Sequence, residues 1–386
     1  MRRMTPAEKT VLVRELALEA GFVRVGVVRA VPLARAGYFR EWLARGCAGS
    51  MNYLARWQDL RADPRLLLEG ARSIIVVAWR DGGLAGEARA FERACERGRA
   101  WSEPPEAVET SGSTFNHSGN HSAGLGRRGD LDAALRHGVD GPQTSSEPAS
   151  DEPRGRVARY AWGRDYHRAV RNRLRRLGDR LREVMGEPLR ARVCVDTAPI
   201  IEREWAAAAG IGWIGRNTMV IDSRIGSMFM LGEIITTLEL EPTLPVKDLC
   251  GNCMRCVEAC PTGALTRPYQ MDASRCISYL TIEHRGEISE ELSRRMGNWV
   301  FGCDVCQEVC PWNRHAAGQA AESVNVRNPL VPSPLLSDLC KLDADQYDRF
   351  LRGSAMKRAT LEMLRRNARI ALGNCRGNKK GDGTAE

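Results

Sequence analysis

No stretch of this sequence is apolar for long enough to cross a bilayer. The longest apolar run, 74–79, suits a buried strand, whereas a spanning helix needs about 20 apolar residues. An export leader is missing as well. Arg2-Arg3 opens like a twin-arginine signal, but 5–9 is polar, and Arg14, Glu15 and Glu19 interrupt 11–20 where an apolar core belongs. The expectation is a cytoplasmic chain with no membrane role, in a compartment where thiols stay reduced. There is no GxxxxGK[ST] loop and no GxGxxG directly after a strand, so neither a nucleotide P-loop nor a dinucleotide fingerprint is legible. The "GIGWIG" at 210–215 has the glycines but follows a helix. No internal repeat is long enough to define an array.

What is present points elsewhere. The 386 residues suffice for two or three domains, and 57 Lys and Arg against 48 Asp and Glu give a net charge of +9. That balance favours a polyanionic partner, nucleic acid before membrane. Residues 8–20 have helical apolar spacing stopped by Gly21, Val23, Val25 and Val27 alternate like a strand, and 73–79 reads as a strand buried on both faces. Residues 81–155 are rich in Gly, Ser, Pro and Asn without an apolar period, and are expected to be a disordered insertion rather than a metal site built on His117, His121 and His137. From 163 to 185, Val170, Leu174, Leu177, Leu181 and Met185 form one apolar stripe on a helix whose other faces carry seven arginines between 168 and 182, either a solvated face or a phosphate-binding surface. A short strand at 193–195 ends at Asp196, a helix follows through 202–209, and strands are expected at 219–221 and 228–240. After Pro311 the chain turns helical again. This organisation divides into an α/β domain (1–80 and 156–240), the insertion (81–155), a cysteine-rich domain (241–320) and a helical C-terminal segment (321–386).

Thirteen cysteines in a reducing compartment suggest metal ligation. Cys250, Cys253, Cys256 and Cys260-Pro261 follow the C-x2-C-x2-C-x3-C-P run of bacterial ferredoxins, in which the fourth cysteine serves a second cluster. A zinc site has no use for that three-plus-one pattern. A second set ends alike, at Cys303, Cys306 and Cys310-Pro311, and Cys276 supplies the cysteine that position 300, a valine, does not. The cross-over rule assigns Cys250, Cys253, Cys256 and Cys310 to one [4Fe-4S] cluster and Cys260, Cys276, Cys303 and Cys306 to another. Cys47, Cys95, Cys194, Cys340 and Cys375 read as ordinary core or surface residues. Two clusters make an electron wire, and the large N-terminal part is expected to hold its terminus.

The segments "VDTAPIIEREWAAAAGIGWIGRNTMVI", "CGNCMRCVEACPTGAL", "RCISYLTIE", "MGNWVFGCDVCQEVCPWN" and "ARYAWGRDYH" resemble the epoxyqueuosine reductases. The resemblance covers nearly everything outside 81–155. It implies a nitroreductase-like α/β domain binding base-off cobalamin, beside a ferredoxin-like two-cluster domain and a short helical C-terminus. It implies reduction of epoxyqueuosine to queuosine at the wobble position of tRNA, with the epoxide oxygen leaving as water. Carried over by motif, Asp196 is the proton donor and a cobalamin contact, and Arg61, Arg159, Ser278, Val220 and Leu231 are further cobalamin contacts. His284 and Arg285 fall where the family approaches tRNA. Burial beside the corrin is expected to raise the Asp196 pKa toward a working acid.

"DYHRAV" at 165–170 has Val170 where a cobalt-ligating histidine box needs glycine, so His167 reads as structural or surface. Longer members continue into helical repeats that hold RNA, and the short tail implies weaker tRNA affinity. A ferredoxin or flavodoxin is the expected electron donor, and the chain is expected to be monomeric. Two alternatives stand beside this reading: a cobalamin-dependent reductive dehalogenase, or a ferredoxin-like electron-transfer protein.

Overall fold

Along the strand Ser73–Trp79, side chains alternate between two cores. Ile74, Val76 and Ala78 join one, while Ile75, Val77 and Trp79 join the other. All seven residues are buried, as the continuous apolar run requires. The structure, a computed structural model, describes residues 4–80, 152–186, 188–316 and 328–379. The expected insertion, with its three histidines and Cys95, therefore lies outside the described residues, apart from 152–155. Those last residues are held in place: the Gly155 N–H donates to the Pro334 carbonyl at 2.8 Å.

The strands in chain order are β1 (Arg24–Arg29), β2 (Ser73–Trp79), β3 (Arg156–Val157), β4 (Ala191–Cys194), β5 (Trp213–Ile214), β6 (Val220–Ile221), β7 (Met230–Thr236) and β8 (Trp299–Phe301). Four of them form a sheet in the order β1-β2-β7-β4, antiparallel at every pairing. The long strand expected at 228–240 is shorter, because β7 ends where its partners β2 and β4 end. β3 pairs not with this sheet but in parallel with β8, beside the cysteine-rich segment.

Helices α1 (Pro6–Glu19) and α2 (Tyr166–Val184) cover one face. Thr5 caps α1 in a reciprocal box with Glu8, and Gly21 ends it at φ 84°. The α2 stripe of Val170, Leu174, Leu177 and Leu181 is buried against Val77, Ile75 and Ile234; each such side chain contributes about 1.5–3 kcal/mol. Helix α3 (Glu202–Ala208) covers the other face through Trp205 and Ala206. The glycines after it do structural work. Gly210 takes φ 72°, and a Cβ on Gly212 would lie 2.2 Å from the Ile221 carbonyl oxygen. "GIGWIG" is thus a tight helix-to-strand return. Only the bare backbone fits there.

Helices α4 (Ile277–Ile282), α5 (Leu336–Lys341) and α6 (Leu361–Lys379) close the C-terminal side around Val300, Phe301, Leu336, Leu339 and Leu364. Buried Asn367 on α6 donates to the Thr281 and Val300 carbonyls at 3.0 and 2.9 Å, tying that helix to α4 and β8. No helix among the described residues is long and apolar enough to cross a membrane.

Candidate active site

Asp196 stands two residues beyond β4, with its backbone in the left-handed region at φ 45°. Among the described residues only Thr218 and Tyr269 share that strained sign without being glycine, and all three line one cavity of about 310 Å³. Apolar and aromatic walls such as Phe39, Trp42, Leu54, Ile200 and Met271 face a charged group of Arg35, Arg61, Glu202, Arg203 and Glu204.

Two groups hold Asp196. Its backbone N–H donates to Glu202 Oε1 at 2.5 Å, and its Oδ2 lies 2.8 Å from His167 Nε2. The other imidazole nitrogen, Nδ1, lies 2.7 Å from Asp165 Oδ1, so both ring nitrogens are engaged. Asp165 is the N-cap of α2 and also accepts from the His167 N–H, which fixes the ring at the first turn of that helix. Tyr166 stacks on His167 at 4.1 Å between ring centres. Burial alone would lower the His167 pKa, but the hydrogen bonds and charges of Asp196 and Asp165 outweigh it and raise the value above 6.5.

The Asp196 side chain is half exposed among the described residues. Two buried carboxyls feel the Asp196 charge. Burial, then the Asp196 charge, pushes Glu202 up to about 7. Glu233, fully buried on β7 opposite Cys194, is raised well above the usual range by burial and by Glu202 and Asp196. Neither of its oxygens has a hydrogen-bond partner among the described residues, as a stored proton in an apolar core requires.

Of the other residues carried over by motif, Arg61 lines the same cavity. It is buried, its Nη1 donates to the Ile200 carbonyl at 3.3 Å, and its Nε has no hydrogen-bond partner among the described residues. Arg159 lies on the 3-10 turn after β3, with its backbone N–H donating to Asp304 Oδ2 at 2.7 Å. Val220 is buried beneath the cavity wall, and Leu231 packs at the edge of the same core. Ser278 is the second residue of α4, two places after Cys276. The cavity therefore gathers Asp196 and Arg61 but not the other four. His167 and Glu202 are the groups that sequence reasoning missed.

Every described cysteine is a free thiol. Cys250, Cys253, Cys256 and Cys310 surround a second cavity of about 250 Å³ with Pro311 and Trp312. The Trp213 indole N–H donates to Cys250 Sγ at 3.4 Å. Burial, then the neighbouring Cys276 and Cys260, raises the Cys306 thiol, so those sulfurs lie within electrostatic reach of one another. Cys303 is raised by burial and then by Cys276 and Cys306. The first of these groups comprises Cys250, Cys253, Cys256 and Cys310, and the Cys306 thiol also feels Cys256. No three His, Cys, Asp or Glu side chains among the described residues gather tightly enough for a single metal ion. A lone zinc needs thiolates at about 2.3 Å, whereas a cubane needs four sulfurs spread around a cage.

Residues 249–313 match the family described as a 4Fe-4S double cluster binding domain, and 133–197, which include Asp196, match Epoxyqueuosine reductase QueG. An epoxyqueuosine reductase of Xanthomonas campestris is 35% identical over 379 residues, spanning 98% of this chain and 90% of its own. The chain belongs to the epoxyqueuosine reductase family.

Solved epoxyqueuosine reductases share the fold. One from Bacillus subtilis, in which a catalytic loop named for an aspartate is swung out of the active site, is 26% identical with a TM-score of 0.69, over 94% of this chain and 81% of that one. Another, in complex with an epoxyqueuosine-modified tRNA-Tyr stem loop, is 27% identical with a TM-score of 0.68, over 94% and 80%.

Proposed function

We propose that this chain reduces epoxyqueuosine to queuosine at the wobble position of tRNA. The observation that carries the reading is the strained Asp196, held by His167 and Glu202 at the edge of a cavity, in a chain whose 249–313 segment is a double-cluster domain. A relative that binds an epoxyqueuosine-modified stem loop, and another whose catalytic loop is named for an aspartate, support the substrate and the donor.

The reaction takes two electrons and two protons; both carbon–oxygen bonds of the epoxide break, an alkene forms and the oxygen leaves as water. Cys250, Cys253, Cys256 and Cys310 hold one [4Fe-4S] cluster, and Cys260, Cys276, Cys303 and Cys306 the other. Arg61, Arg159, Asp196, Val220, Leu231 and Ser278 would hold base-off cobalamin, which would supply reducing power for opening the strained ring. The cavity fits that group in two respects. The buried Arg61 has an unpartnered Nε for an amide or phosphate oxygen, and His167, with both nitrogens engaged, is withheld from cobalt.

Asp196 protonates the developing alkoxide, and His167 refills Asp196 across 2.8 Å, its own charge balanced by Asp165. The apolar walls exclude water while the ring opens. In this proposal the nitroreductase-like α/β part is 1–80 with 156–240, the cluster part 241–320 and the helical closing segment 321–386. A ferredoxin or flavodoxin feeds electrons to a cytoplasmic monomer.

Anaerobic reconstitution with iron, sulfide and cobalamin tests it, followed by an assay on epoxyqueuosine tRNA. About eight irons and one cobalt per chain are expected. A chain that takes up no corrin, or leaves the epoxide intact when fully loaded, refutes the reading.

A further inference from the structure

Helix α2 carries two kinds of arginine. Toward its C-terminal end, Arg180 pairs with Glu183 at 3.1 Å and Arg182 with Asp179 at 2.6 Å. Toward its N-terminal end, Arg168, Arg171 and Arg175 have no ion pair or hydrogen bond among the described residues, and neither does Arg164, just before the Asp165 cap. At about 100° per residue Arg168, Arg171 and Arg175 fall within about 60° of arc, roughly a third of a turn from the buried stripe, and Arg164 precedes the helix cap. Arg164, Arg168 and Arg175 are exposed, and Arg171 is half-buried.

This arrangement opposes helix stability. Cations near a helix N-terminus work against its dipole, like charges one turn apart repel, and the first turn of α2 contains no acidic residue. A bound polyanion would relieve both costs. The place matters as much as the charge: the same first turn sets His167 against Asp196, so the stripe starts at the reacting end of the cavity and runs away from it. From Arg168 to Arg175 it is about 10 Å long at 1.5 Å per residue, enough to reach more than one backbone phosphate.

We propose that Arg164, Arg168, Arg171 and Arg175 form a phosphate track for the RNA strand whose modified base enters the Asp196 cavity. This inference rests on the RNA reading above and adds to it the surface that binds the backbone. An acidic electron donor is the competing occupant. It must approach the cluster cysteines, and α2 contributes no wall to the cavity bounded by Cys250, Cys253, Cys256 and Cys310.

The test uses the full reconstituted chain and a fluorescent tRNA-Tyr anticodon stem loop titrated at several salt concentrations. The triple variant R168Q/R171Q/R175Q is expected to bind at least about tenfold more weakly, and to lower the slope of log K against log salt by about 2, at 0.7–0.9 per lost phosphate contact. R168K/R171K/R175K is expected to recover most of both, and R180Q/R182Q to match the parent. Iron content per chain reports folding in each case. Binding within twofold of the parent at an unchanged slope overturns the track, while parental turnover of epoxyqueuosine tRNA would leave the wider reading standing. A parent that neither binds the stem loop nor reduces the base overturns both. Unchanged RNA binding with a raised KM for a reduced flavodoxin overturns the RNA assignment in favour of the donor.

Discussion

His167 Nε2 lies 2.8 Å from Asp196 Oδ2, although 29 residues separate them in the chain. The histidine comes from the first turn of a helix on one face of the sheet, and the aspartate from the end of edge strand β4. That meeting turns a half-exposed carboxyl into one end of an Asp165–His167–Asp196 relay, and the predictions about acid–base chemistry follow from it.

Replacing Asp196 by Asn keeps the shape and removes the transferable proton. Single-turnover reduction of epoxyqueuosine tRNA is expected to slow by about 10²–10⁴-fold, the usual share of a positioned general acid. Iron and corrin content should match the parent. An unchanged single-turnover rate would remove Asp196 from the chemistry.

The His167 pKa is raised because Asp196 and Asp165 outweigh the effect of burial, so its cation persists above pH 6.5. Activity is expected to be full on the acid side and to fall as pH rises through that raised value. The stabilisation from the pair has the same sign: complete below the unfolded value, lost as pH climbs through the folded one. Asp165, Asp196, Tyr166 and Glu202 are the titratable neighbours. His167→Gln should abolish the alkaline limb and reduce turnover about tenfold or more. A pH–rate profile superimposable on the parent's would count against the relay.

Glu202 is held at about 7 against an ordinary 4.5, so the folded chain binds a proton there that the unfolded chain has released. Stability from this group is present below pH 4.5 and lost as pH rises to about 7. Glu202→Gln keeps an oxygen for the Asp196 N–H and removes the titration. Urea midpoints compared at pH 5 and pH 8 should then differ less in the variant than in the parent. An equal or larger difference would contradict the assignment.

Cys310 belongs by sequence to the second cysteine run, yet it lines the cavity of Cys250, Cys253 and Cys256. Cys310→Ala should therefore perturb the same cluster as Cys250→Ala, and Cys303→Ala the other. Each is expected to lower iron by about four per chain. Electron paramagnetic resonance of the reduced variants should pair Cys310→Ala with Cys250→Ala. Pairing with Cys303→Ala would reverse the cross-over.

Much of the fold was legible because its signals are local. The capped, glycine-terminated helix at the N-terminus, the stripe of α2 and the buried run of β2 follow from spacing alone. Strand order did not, since nothing near β2 in sequence says that β7, more than 150 residues later, is its neighbour. β3 was grouped with the main α/β part by position, and its backbone partner proved to be β8. Asp196 was legible as a candidate from its motif. Its contact with His167 was not, because that depends on which helix end packs beside the strand end.

The sequence by itself determined that eight cysteines come in two sets, that one helix is amphipathic and densely basic, and that an aspartate ends a short strand before a helix. These are statements about neighbours in the chain, where covalent geometry limits the choices. Only the tertiary structure decided that His167 reaches Asp196, that Arg61 shares the Asp196 cavity, and that β3 pairs with β8. Each of those depends on packing between elements far apart in sequence, where side-chain volume and the pairing of buried polar groups choose the partners.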